Sequence, residues 1–129
     1  TEVTRMEREG REATPTEARP AIRRTTLRTA PIDPRVLVEQ VQISRIEMPP
    51  HERAGLHVHP CPVVGVVLAG SVLFQVEGEA ERVLHAGDAF FEPANARIAH
   101  FDAQERGATF VAHYLMESGA TELIVMLDE

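Results

Sequence analysis

The run GLHVHP at residues 55–60 is followed by VVGVVLAG (63–70), VLFQVEGE (72–79) and VLHAGDAFFEPAN (83–95), and together these stretches decide the fold. In the second group Val72, Phe74 and Val76 alternate with Leu73, Gln75 and Glu77, the period of a strand. In a strand, residues two apart point to one face with about 7 Å between them along the chain. His57 and His59 therefore aim together at whatever space lies on that face, and Pro60 ends the strand just after them.

Outward from this centre the same texture continues. Short apolar or alternating runs recur near 22–29, 35–47, 97–101, 108–116 and 121–127. A phase slip near Gln40 suggests a bulge in the 35–47 run. Breakers separate the runs: Pro49-Pro50, Pro60, Pro62, Gly70, Gly78, Gly87, Pro93 and Gly107. Strands at 8–12-residue spacing without a helical period predict an all-β fold, a sandwich or barrel over about residues 22–127. Residues 1–20, rich in Glu, Arg, Thr and Pro, bury too little apolar surface to offset ordering entropy and read as a flexible N-terminal arm. Residues 21–129 form the single domain that a chain of this size allows.

Composition narrows the function. All 13 basic residues are Arg, so Schiff-base chemistry on a lysine is excluded. Residues 36–129 carry five Arg against fourteen acids, a surface unsuited to nucleic acid. The longest apolar run, Val63 to Gly70, is too short to span a membrane. One cysteine, Cys61, permits no intrachain disulfide and fits a reducing, cytoplasmic setting. No nucleophile elbow, phosphate loop, HExxH or CxxC motif is present.

The chain resembles the cupin family. Its first motif runs Gly, five residues, HxH, three or four residues, Glu, six residues, Gly; its second runs Gly, five residues, Pro, one residue, Gly, two residues, His, three residues, Asn. His57, His59 and Gly70 match the first, and Gly87 and Pro93 match the second. The resemblance covers about residues 22–127 and implies an antiparallel β-sandwich barrel, the double-stranded β-helix or jelly roll. It also implies a divalent metal inside the barrel: iron, nickel, zinc or manganese. Small cupins commonly pair, so a homodimer is expected, with the edge-like segment Ala21–Thr29 at the contact.

Two usual ligands are missing. Val63 stands at the glutamate position and Ile98 at the histidine position of the second motif. Asn95 replaces its glycine, Asp102 its asparagine, and His51 the glycine of the first motif. If residues 97–101 form a strand, His100 shares the face of Ile98 and enters the cavity one pleat further on. A metal site of His57, His59 and His100 then resembles the three-histidine sites of cysteine dioxygenase and diketone-cleaving dioxygenases. The alternative is that His100 is a half-buried histidine and the site has degenerated.

His113 is a further candidate, as a fourth ligand or a donor behind the ligands. Gln75 and Glu92 are possible oxygen ligands but read as surface-facing or edge residues; His51 and His85 sit beside turns. Cys61 is placed near the cavity mouth, and the apolar wall is assigned to Val63, Val67, Phe74, Phe90 and Ile98. Two functions follow as expectations. One is a metal-dependent enzyme, a dioxygenase or isomerase acting on a small metabolite. The other is a binding or sensing module for a small ligand, without turnover.

Overall fold

The computed structural model describes residues 21–128, and among them the fold is all-β with antiparallel strands, as the alternation predicts. The strands are β1 (Gln40–Met48), β2 (His57–Val58), β3 (Val63–Val76), β4 (Arg82–His85), β5 (Ala89–Glu92), β6 (Ile98–Met116) and β7 (Val125–Met126). The sheet order is β4-β3-β6-β2-β7, with β1 added to β6 and β5 to β3. The N-terminal arm proposed for residues 1–20 lies outside the described residues.

Four of the runs seen in the sequence fuse into two long strands. Residues 63–69 and 71–77 become β3, and residues 97–101 and 108–116 become β6. The first half of β3 pairs with the end of β6, the second half with its beginning, so both strands pass from one layer to the other. The passage is made at Gly70 and Gly107, whose φ values are 75° and 73°. A side chain at Gly70 would collide with the Gly107 carbonyl, and one at Gly107 with the Met48 carbonyl. Only glycine combines that backbone conformation with so close an approach. Register shifts at Val67/Ala69 and Gly70/Val72 mark the same corner.

The core follows from the alternation. Val63, Val67, Val72, Phe74 and Val76 of β3 face inward, as do Phe101, Phe110, Ala112 and Tyr114 of β6. Phe74, Phe90, Phe101 and Phe110 form a cluster of tilted and edge-to-face rings with centroids 4.7–6.2 Å apart. This cluster is the floor on which the candidate site stands.

Two expectations need correcting. The segment at 22–29 forms no strand; among the described residues it pairs with none. It lies instead over the outer face, where Arg28 sits 5.8 Å from the ring centre of Phe91. The phase slip near Gln40 is not a bulge within a strand but the start of β1, whose pairing with β6 begins at Gln40 opposite Met116.

Candidate metal centre

His57 is held in place by pairing with Ile98 of β6 and Met126 of β7. Its ring is buried, and its Nδ1–H donates to the Gly55 carbonyl at 2.6 Å. His59 follows on the same face, and its Nδ1–H donates to the Leu123 carbonyl at 2.7 Å. A carbonyl can only accept, so both Nδ1 atoms carry hydrogen and both Nε2 atoms present lone pairs. The two rings meet edge to face with centroids 4.8 Å apart. The amide of Asn95 donates to the His59 carbonyl at 2.7 Å and fixes the end of the pair. Asn95 has φ 63°, a left-handed conformation that asparagine tolerates better than most residues. This accounts for its presence where the motif has glycine.

The third group is Glu92, at the end of β5. It is 2% exposed, and its Oε1 lies 2.8 Å from His59 Nε2. Because His59 Nδ1–H is already engaged by Leu123, these two atoms are both lone-pair donors unless a proton or a cation lies between them. Burial alone would lower His59, but its hydrogen bond to Glu92, the Glu92 charge and the Leu123 carbonyl carry it above the ordinary imidazole value. The space between His59 Nε2 and Glu92 Oε1 therefore favours a positive charge, a proton or a metal ion. Burial pushes His57 the other way, below its ordinary value, against smaller upward effects of Gly55 and Glu92. One ligand atom from each of His57, His59 and Glu92 lies within 4.8 Å of the others, close enough to hold a metal ion. Donors bound about 2.0–2.2 Å from a common ion stand up to about 4.4 Å apart, so small rotamer adjustments suffice.

The placement of the other candidates is plain. His100 is not brought to this cluster: its Nδ1 meets Asp102 Oδ2 at 2.8 Å and its Nε2 lies 3.9 Å from Glu81. The reason is a bulge. Val76 pairs with Ile98 and Gln75 with His100, which leaves Ala99 as an extra residue on β6. The bulge resets the alternation, so Ile98 and Phe101 face inward and His100 does not. His113 lies on the opposite face from Ala112 and Tyr114 and contacts the Val64 carbonyl at 3.0 Å. The Gln75 amide donates to the Glu79 carbonyl, away from the cavity. His51 and His85 are exposed. Cys61 is buried, and burial pushes its thiol up, so it offers no ready thiolate.

Glu92 is the residue that sequence reasoning misplaced. The signal was present: Phe90, assigned to the inner wall, and Glu92 are two apart on one strand and so share a face. Glu92 pairs directly with Val63, which occupies the glutamate position of the first motif. The carboxylate therefore reaches the same space from the neighbouring strand.

A cavity of about 170 Å³ opens beside these groups. Its apolar wall includes Ile46, Met48, Val63, Phe90, Phe110 and Ile124. Of the wall residues expected from the sequence, Val63 and Phe90 line the cavity, whereas Val67, Phe74 and Ile98 pack in the core. Tyr114 lines it too, with its ring edge to face with His59 at 5.9 Å between centroids. Among the described residues no helix is long and apolar enough to cross a membrane.

The fold is shared with solved structures of low sequence similarity. The DMSP lyase of Ruegeria pomeroyi is 23% identical with a TM-score of 0.59, over 67% of this chain and 42% of the lyase. An oxalate oxidase in complex with the substrate analogue glycolate is 23% identical with a TM-score of 0.57, over 67% of this chain and 46% of the oxidase. A cupin-like protein of Thermotoga maritima is 22% identical with a TM-score of 0.59, over 67% of this chain and 64% of that protein. The chain thus spans less than two thirds of the length of each. No curated protein matches it. The cupin domain matches over residues 44–114, more than half the chain, from within β1 to Tyr114. With both histidines of the HxH pair directed inside a double-stranded β-helix, this chain belongs to the cupin family.

Proposed function

We propose that this cupin holds one divalent metal ion through Nε2 of His57, Nε2 of His59 and a carboxylate oxygen of Glu92, and presents it to a small metabolite in the adjoining cavity. The observation that carries the reading is the contact of His59 Nε2 with Glu92 Oε1 at 2.8 Å, with both imidazoles anchored through Nδ1 to carbonyls. Anchoring of that kind fixes the tautomer and orientation of metal-binding histidines. Two imidazoles and a carboxylate suit iron, nickel, zinc or manganese.

Such a metal, when bound, supplies a Lewis acid, and with iron also a means of activating dioxygen. The protein's own part is to hold the donors, to exclude water with the phenylalanine floor, and to limit the size of what enters. At about 170 Å³ the cavity lies below the ~300–1,000 Å³ of sites that take drug-sized ligands, which points to a small metabolite. The likeness to an oxalate oxidase complexed with glycolate supports a small oxygen-bearing substrate. An oxidative or isomerising reaction is the proposed chemistry.

A second reading, a ligand-binding or sensing module without turnover, is favoured by Val63 and Ile98. They are 1% and 0% exposed and fill with hydrocarbon two positions where the motifs carry ligands.

Elemental analysis of protein purified without a chelating tag separates the two. The proposal expects near-stoichiometric metal, lost in His57→Ala and Glu92→Ala and kept in His100→Ala. A wild-type protein that stays metal-free after incubation with each of the four ions establishes the module instead. Loss of metal in His100→Ala would overturn the ligand set.

A further inference from the structure

Tyr114 is 8% exposed, lines the cavity, and its hydroxyl has no hydrogen-bond partner among the described residues. Buried hydroxyls nearly always have one, and those that do not call for an explanation. The register places this group with the metal-binding residues. Val63 of β3 pairs with Glu92 on one side and with Tyr114 on the other, so the three side chains form a row across β5, β3 and β6 on the inner face. Glu92 and Tyr114 stand two strand spacings apart, about 9.5 Å between backbones. Val63 lies between them, too short to fill the gap. The cavity occupies that gap, bounded on one side by the proposed metal and on the other by the tyrosine.

The charges specify what fits there. A 2+ ion held by one carboxylate and two neutral imidazoles leaves one positive charge in a buried, apolar space. A monoanion cancels it; a dianion overshoots, and a neutral ligand leaves it uncompensated. The tyrosine hydroxyl, a donor with no internal acceptor, adds a charge-assisted hydrogen bond to an anionic oxygen. The remaining wall, Ile46, Met48, Phe110 and Ile124, accepts hydrocarbon.

Resting on the metal reading above, we infer that Tyr114 is the recognition residue for a small monocarboxylate with a short apolar body. Its hydroxyl donates to the carboxylate of that ligand. Tyr114 thus selects the ligand's head, and the apolar wall selects its tail.

The test uses the full-length chain loaded with cobalt(II), with isovalerate as the probe. Cobalt content, measured by elemental analysis, reports on the metal reading alone. Calorimetric titration with isovalerate, together with the change it causes in the visible cobalt spectrum, reports on the inference. In the wild type isovalerate should bind at least about tenfold more tightly than glutarate, a dianion too long to chelate the ion, or isovaleramide, since hydrogen bonds to charged groups weigh more than neutral ones. Tyr114→Phe should keep full cobalt content and lose about tenfold or more in isovalerate affinity. If cobalt is bound but Tyr114→Phe binds isovalerate as the wild type does, the inference is overturned and the metal reading stands. If Tyr114→Phe does not fold, the ligand series decides: glutarate or isovaleramide binding as well as isovalerate overturns it. If the wild type takes up no cobalt, the metal reading fails and the inference fails with it.

Discussion

Glu92 shows how a carboxylate can reach one space from either of two paired strands. Its Cα partner is Val63, so a carboxylate on either strand reaches the same space. The two histidines are legible in the sequence, since the HxH spacing requires a common face. The face of the carboxylate is legible as well, from Phe90 two residues before it, but its place opposite Val63 is not, because register between strands cannot be read from one strand alone. His100 is lost for a related reason: the extra residue Ala99 resets the alternation, and nothing local in Ile98-Ala99-His100 announces it. The opposite shifts of His57 and His59 also set a pH dependence for the metal-free protein. His59 titrates above its unfolded value, so its contribution to stability is complete below pH about 6.5 and is lost as pH rises through its folded value. His57 titrates below its unfolded value, so its contribution is complete above pH about 6.5 and is lost as pH falls through its folded value. Urea midpoints measured in chelator should therefore decline on both sides of a maximum. Glu92→Gln should remove most of the alkaline decline, because the carboxylate is what raises His59. An unchanged alkaline slope in that variant would show that the His59–Glu92 pair is not formed in solution.

Among the elements, β3 and β6 carry the architecture, and comparing a corner glycine with a turn glycine gives a graded test. Gly107 and Gly78 both have positive φ, at 73° and 90°, but only Gly107 is approached closely by backbone; a side chain at Gly78 meets nothing within 4 Å. Gly78→Ala should therefore lose only the conformational term, about 1–2 kcal/mol. Gly107→Ala adds a collision with the Met48 carbonyl and should lose about 2–4 kcal/mol. Denaturant melts of the two variants give the comparison, and equal losses would mean that the corner relaxes freely. The alternating strands were legible in Val72-Leu73-Phe74-Gln75-Val76, where the period is strict. The fusion of neighbouring runs was not, because Gly70 and Gly107 read as chain breaks although they are bends within continuous strands. The segment at 22–29, with its arginines and threonines, has the composition of an edge strand, but composition alone does not supply a pairing partner.

At the scale of the whole molecule, the outer surface beside β1 is apolar. Val41 and Ile43 of β1 are 50% and 63% exposed, with Leu37 and Val38 also exposed just before them. Among the described residues β1 pairs only with β6, so its other edge is open. We expect a second copy to cover this face. Light scattering at tens of micromolar should give the mass of a dimer, and the double variant Val41→Glu and Ile43→Glu should give that of a monomer. A monomeric wild type at that concentration would refute it. The passage of β3 and β6 through both layers has a different consequence. Pairing residues 63–76 with 98–116 closes loops of tens of residues, so the contacts that define the barrel are distant along the chain. Neither layer can detach while the other stays intact, because each is made of halves of the same two strands. The chain must therefore gain or lose its interior in one cooperative step, at a rate limited by the search for those distant contacts. Any ion or ligand that joins β2 to β5 would then hold the entire domain closed, not the cavity alone.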